Sequence, residues 1–310
     1  MTSRKVIVFG PTGAVGSAVA RTAEELGAKV ILAMRNIEKP IPGLDDAKEK
    51  QSSFERVYAD LAKPDTVRDA VNTTRAKYAF IYIAHGNPDH MKSTIEALKS
   101  AGIGLVVFLS SFSVPDDPKT VQPIDAIPYV HAQVEINLRE IFGADGFVAA
   151  RPGWFASNTL QYKPGFEKGE LKIYAPDTKV DCIVPGDIGR VCGTILARGP
   201  QDEQRAIYLY GPELLSQRDA IGILAKVLGK NPKVEIIDEQ DAYKMFVEQG
   251  MPGPYAKYMV SRMGKNNTDH LTVLGFPVRE EDLSNVEKYS GRKATTLEEW
   301  AEQNKQMFVS

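Results

Sequence analysis

The 310-residue chain is expected to be an α/β protein, a doubly wound parallel sheet with a smaller, mainly helical C-terminal region. Three observations carry that expectation. Short apolar runs alternate with helical stretches through the first half. Those runs are continuous rather than alternating, as suits strands buried on both faces. The alternation fades near residue 152, beyond which helical segments such as "SQRDAIGILAKVLG" and "TLEEWAEQNKQMF" dominate.

The first strand is "KVIVF", joined by a glycine-rich turn to the helical "AVGSAVARTAEEL". "AKVILAMR" and "ERVYADL" make the second and third strands. "YAFIYIAHG", "GLVVFLSSFSV" and "GFVAARPG" follow, each after a helical stretch. Right-handed crossovers then place ligands at the carboxyl ends of the strands. No internal repeat or low-complexity linker divides the chain, so the second half is expected to pack against the first.

Composition removes several function classes. Hydrophobic content of 43% and charged content of 25% are ordinary for a globular protein. A net charge of −2 with scattered Lys and Arg gives no footprint for nucleic acid. "MTSRKVIVFG" runs straight into a strand without a signal-peptide pattern, and no apolar run reaches membrane-spanning length, so a cytoplasmic location is expected. Cys182 and Cys192 form no metal or redox spacing, and His85 and His90 lack a third ligand; no metal site is expected.

The chemistry concentrates in "VIVFGPTGAVGSAVA", where Gly10, Gly13 and Gly16 stand between a strand and a helix. One glycine permits the tight turn, one lets backbone approach a pyrophosphate, and one lets the helix pack closely on the strand. Together with Pro11, Thr12, Ala14 and Val15 they form the phosphate-binding turn of a Rossmann fold, with the helix N-terminus facing the anion. Residues 1–152 are therefore assigned to a dinucleotide-binding domain and 153–310 to a substrate-binding region, of which about 180–200 packs back on the first.

The second strand ends in Arg35 rather than a carboxylate, and Asn36 and Lys39 stand beside it. A planar cation suits a 2′-phosphate, so NADP(H) is expected over NAD. Asp60, at the end of the third strand, serves either as acceptor for the adenine amino group, with Leu61 against the ring, or as a helix cap. Ala84 and His85 are expected to face the nicotinamide ribose. Ser110 and Ser111 are placed to steady a substrate carbonyl. Tyr129 and Gln133 share a helical face at i and i+4, from which His131 should point away; Tyr129 is either an acid or a packing residue.

"GPTGAVG", "MR", "ADL", "RPGWFASN" and "VPGDIGRVCGTIL" together resemble the NmrA-like family of atypical short-chain dehydrogenases, related to isoflavone-reductase-like enzymes, over nearly the whole chain. The resemblance implies an NADP-binding Rossmann domain and a C-terminal wall over a cleft. It places Gly153, Trp154 and Phe155 beside the nicotinamide, and it implies that Gln133 stands where many members carry a lysine. Such a change would weaken alcohol oxidation most, since a neutral tyrosine is a poor base. Activities implied by the family are quinone and carbonyl reduction, tailoring steps of secondary metabolism, and NADP sensing.

"GMPGPYAKYMVSRMGK" places Tyr255, Tyr258, Met259, Arg262 and Met263 at helical spacing, as core or as a movable wall over an apolar substrate. Phe112, Tyr129, Trp154, Asn158, Tyr255 and Met259 form the expected substrate contacts, with Tyr129, Ser110 and Gln133 the expected catalytic set. The expected function is NADPH-dependent reduction of an apolar carbonyl, enone or quinone. Alternatives are an NADP sensor acting on a protein partner and a non-redox isomerase or cyclase.

Overall fold

The apolar runs of the first half become parallel strands in sequence order. The computed structural model describes residues 3–45, 49, 54–265 and 271–308. The chain begins β1 (Lys5–Phe9), α1 (Ala14–Glu25), β2 (Lys29–Met34), β3 (Phe54–Tyr58), α2 (Pro64–Thr74), β4 (Tyr78–Tyr82), α3 (Lys92–Ser100), β5 (Leu105–Leu109), α4 (Ala126–Phe142) and β6 (Phe147–Pro152). It continues through α5 (Lys163–Lys168), β7 (Glu170–Ile173), β8 (Lys179–Val180), α6 (Pro185–Arg198), β9 (Ala206–Leu209), β10 (Leu215–Ser216), α7 (Gln217–Leu228), β11 (Lys233–Ile236), α8 (Glu239–Glu248) and α9 (Gly253–Met263).

The main sheet is parallel throughout, in the order β3-β2-β1-β4-β5-β6-β9, an α/β Rossmann-like arrangement. Val6, Ile7 and Val8 of the inner strand β1 are fully buried, with apolar clusters on both faces of the sheet. β3 departs from the all-buried pattern: Glu55 and Tyr58 are exposed because the strand lies at the sheet edge.

Residue 152 does not divide the layers. β9 joins the main sheet beside β6, and α6 packs on α1. That helix pair is close because of two glycines one turn apart. A Cβ on Gly189 would lie 2.3 Å from Ala18 Cβ, and one on Gly193 would lie 2.8 Å from the Val19 carbonyl oxygen. Asp187, fully buried at the start of α6, accepts from Thr295 N (2.6 Å) and ties the C-terminal segment to this layer. The remaining C-terminal elements bury a core of their own, including Phe166, Leu224, Phe246 and Trp300. Among the described residues no helix is long and apolar enough to cross a membrane.

Candidate functional site

Each glycine of the first turn has its own physical reason. Gly10 adopts φ +69°, and a Cβ there would meet the Tyr82 ring at 2.5 Å. A Cβ on Gly16 would fall 2.2 Å from the Gly10 carbonyl oxygen. Both positions demand glycine for folding alone. Gly13 differs: its φ is −89°, and a Cβ would approach no atom closer than the Gly10 carbonyl oxygen at 3.5 Å. Nothing in the protein requires glycine at 13. Its exposed surface adjoins an α1 N-terminus that no side chain caps, and so forms a cradle for an anionic group at close backbone range.

Arg35, just past β2, is exposed and carries no ion pair among the described residues. The neighbouring loop is anchored independently of it. Arg56 donates to the Ile37 and Lys39 carbonyls and pairs with both Glu49 carboxylate oxygens, at 2.5 and 2.7 Å. Asn36 Oδ1 accepts from Glu38 N (3.0 Å), leaving Lys39 exposed at the rim. Asp60 is not the cap of α2, whose N-cap is Lys63; its Oδ1 instead closes a turn with Ala62 N at 3.0 Å. Leu61 is 4% exposed and packed in the core, so the expected contact with an adenine ring lacks an exposed face. Tyr58, opposite Met34 and 48% exposed, offers such a face and gave no local signal in the sequence.

A cleft of about 920 Å³ opens at the carboxyl ends of the middle strands. Its floor comes from Tyr82 and Ile83 at the end of β4, Leu109 to Phe112 at the end of β5, and Pro152 to Phe155 at the end of β6. Phe246, Met251, Tyr255 and Met259 from α8, α9 and their junction form the opposite wall, and Asn158 lies at the exposed rim. Among the described residues the lining contains no Asp, Glu, Lys or Arg. His85 meets Tyr255 edge-on, ring centroids 6.3 Å apart, across the mouth. Ala84 directs its N–H to Met91 Sδ at 3.3 Å and is not part of the lining.

The face of α4 that enters this cleft is not the expected one. Ile127 and His131 line it, whereas Tyr129 and Gln133 do not. The Tyr129 ring stands edge-on to His90 at 5.6 Å, and Asn137 donates to the carbonyls of Asp89 (3.2 Å) and His90 (3.1 Å). Gln133 lies one turn from each, on the stripe that packs against the loop before α3. The helix is oriented by Glu135, which shares its face with His131 and pairs with the fully buried Arg151 of β6: Oε1 to Nε at 3.0 Å, Oε2 to Nη2 at 2.6 Å. Ser110, expected to donate to a substrate carbonyl, instead donates to Glu135 Oε1 at 2.5 Å, so its proton is committed to the pair. An arginine inside the apolar run "FVAARPG" and a buried-face glutamate were the sequence signals for this arrangement.

His131 is the polar group the structure delivers. Its Nδ1 is buried without a hydrogen-bond partner. Burial, reinforced by His85, lowers its pKa to about 3, so the ring is neutral at ordinary pH. Trp154 and Phe155, which line the same cleft, are clamped by backbone bonds. Gly153 N donates to Leu209 O (2.9 Å), Ile183 N to Trp154 O (2.9 Å) and Ala156 N to Ile183 O (2.8 Å). Asp181, fully buried, accepts from Trp154 N (2.6 Å) and Gly211 N (3.0 Å), and burial pushes its pKa up to about 7 against those donors. A Cβ on Gly153 would lie 2.4 Å from that carboxylate, which explains glycine there.

Comparison with known proteins gives relatives over nearly the whole chain and solved structures of the same fold. The model of the NmrA-like family matches residues 2–301. Nitrogen metabolite regulation-like protein bik4 of Gibberella fujikuroi is 34% identical over 312 residues, covering 96% of this chain and 95% of that protein. A (4-alkanoyl-5-oxo-2,5-dihydrofuran-3-yl)methyl phosphate reductase of Streptomyces griseus is 24% identical, covering 98% and 99%. The solved structure of the NADPH-dependent quinone oxidoreductase QOR2 of Escherichia coli, complexed with NADPH, shares the fold with a TM-score of 0.70 at 18% identity, covering 96% and 99%.

Proposed function

The chain belongs to the NmrA-like family, and on that premise we propose that it is an NADPH-dependent reductase of a bulky, uncharged carbonyl, enone or quinone. The observation that carries this is a cleft lined, among the described residues, by no charged side chain and by the neutral ring of His131. The residues present suit the cofactor: Gly10 to Gly16 and the α1 N-terminus for the pyrophosphate, Arg35 with Lys39 for a 2′-phosphate, Trp154 and Phe155 for the nicotinamide wall. The Escherichia coli structure is named as an NADPH complex, and the Streptomyces relative as a reductase. When bound, NADPH supplies a hydride. His131 then donates a hydrogen bond to the substrate oxygen as negative charge develops there, as a neutral dipole rather than a strong acid, and the reduced oxygen takes its proton from solvent as the product leaves. A quinone or conjugated carbonyl disperses that charge and suits a weak donor. Trp154, Phe112 and the methionines exclude water from the reacting atoms. The phosphate-bearing substrate named for the Streptomyces relative does not suit a lining without Lys or Arg.

The test is NADPH consumption against a panel of quinones, enones and aromatic ketones, with turnover expected for at least one uncharged member. The identity to a protein named for nitrogen metabolite regulation favours a second reading, an NADP-responsive regulator without turnover. Tight NADPH binding with no consumption on any panel member would select it.

A further inference from the structure

A second cavity, of about 450 Å³, shares Phe112 with the cleft and lies along the other side of α9. Tyr255 and Met259 of that helix line the cleft, while Tyr258 and Arg262 line the second cavity. The stripe at helical spacing is thus a partition with a ligand-sized space on each side. Phe112, Tyr208, Tyr210, Tyr258 and Phe276 give the second cavity an aromatic wall.

Its charges fall into two groups. Arg279 is satisfied by Asp282 at 2.8 Å and Asp116 at 3.7 Å. Arg262 and Asp125 are not. The Arg262 guanidinium lies 3.8 Å over the Phe276 ring and its Nε donates to the Leu274 carbonyl at 3.3 Å, so it is held in place, yet no carboxylate pairs with it among the described residues. Asp125 precedes α4 but makes no side-chain capping bond and has no ion pair among the described residues. Both line this cavity with Tyr258, on elements that pack together, Asp125 at the start of α4 and Arg262 on α9; burial raises the Tyr258 pKa, Arg262 lowers it and Asp125 raises it further. Two partly buried, unpaired, opposite charges are costly to hold unless a ligand completes them.

We propose that this cavity binds an aromatic zwitterion of the amino-acid class, its carboxylate on Arg262, its ammonium toward Asp125 and its ring among the aromatic side chains. A simple anion is disfavoured because the lining holds Asp116, Asp125 and Asp282 against Arg262 and Arg279. The site is separate from the cleft and stands whether or not the reductase assignment holds.

Calorimetric titration of the full chain with L-tryptophan, indole-3-propionate and tryptamine compares one ring carrying both charges, the carboxylate alone or the ammonium alone. L-tryptophan should bind about tenfold or more tightly than either single-charge probe. Arg262→Gln should erase its advantage over tryptamine and Asp125→Asn its advantage over indole-3-propionate, with NADPH titration of both variants unchanged. Absence of binding by all three, equal binding, or a preference that survives both substitutions overturns the proposal. The comparison on the unaltered chain decides it even where a variant fails to fold.

Discussion

Replacing His131 by Phe keeps a ring in the cleft wall and removes both nitrogens. With the pKa lowered to about 3 by burial, about one molecule in ten thousand carries the charged ring at pH 7. The side chain therefore acts as a neutral donor toward the substrate oxygen. Removing one such donor costs about 10²- to 10³-fold in kcat, or about 3–4 kcal/mol. The assay is NADPH oxidation at saturating acceptor, for the unaltered chain and for His131→Phe, Tyr129→Phe and Gln133→Leu. Only His131→Phe should slow turnover on that scale; the other two lie on the stripe facing Asp89 and His90 and should change kcat by less than about threefold. Because His131 stays neutral, the kcat profile should lack a histidine step near pH 6.5. A Tyr129→Phe loss equal to that of His131→Phe would refute the assignment of faces on α4. A step near pH 6.5 that disappears in His131→Phe would refute the neutral-donor role.

Further outcomes follow from the same geometry. Gly13→Ala should fold normally but weaken NADPH binding, whereas Gly16→Ala, forced against the Gly10 carbonyl, should lower the thermal midpoint; denaturation curves and cofactor titrations separate the two. Arg35→Ala should lose about tenfold or more in NADPH affinity with little change for NADH, measured by fluorescence titration; equal NADPH and NADH affinities in the unaltered chain would remove its assigned role. Asp181 has a folded pKa of about 7, above its ordinary 3.8, so the folded chain keeps a proton that the unfolded chain has lost. That contribution is full below 3.8 and is lost as pH rises through 7. Unfolding free energies from urea titration should therefore fall relative to Asp181→Asn by up to about 1.4 kcal/mol per pH unit in that window. Glu135→Gln leaves the Arg151 charge buried without its counter-ion and should cost about 3–5 kcal/mol in chemical unfolding.

The features legible in the sequence were those set by near neighbours along the chain. "KVIVF" followed by Gly10, Gly13 and Gly16 specified a strand, a turn and a helix start, because φ, steric clash and helix-end polarity are local properties. The continuous apolar runs identified the inner strands, and the carboxyl edge followed from parallel connection. Spacing also grouped Tyr129 with Gln133 and separated both from His131, as the helix has it.

What spacing left open was which stripe of α4 meets the ligand. That depends on Glu135 reaching Arg151, a pair between α4 and β6 whose desolvation cost enforces one rotation of the helix. Once the pair forms, His131 enters the cleft and Ser110 is drawn into bonding Glu135. The clamp of Asp181 on Trp154 and the division of α9 between two cavities are of the same kind. The sequence by itself determined the inner strands, the cofactor turn and the pairing of Tyr129 with Gln133 on one stripe of α4. Only tertiary structure decided which stripe faces the chemistry, because buried charges find their partners across elements, not along one.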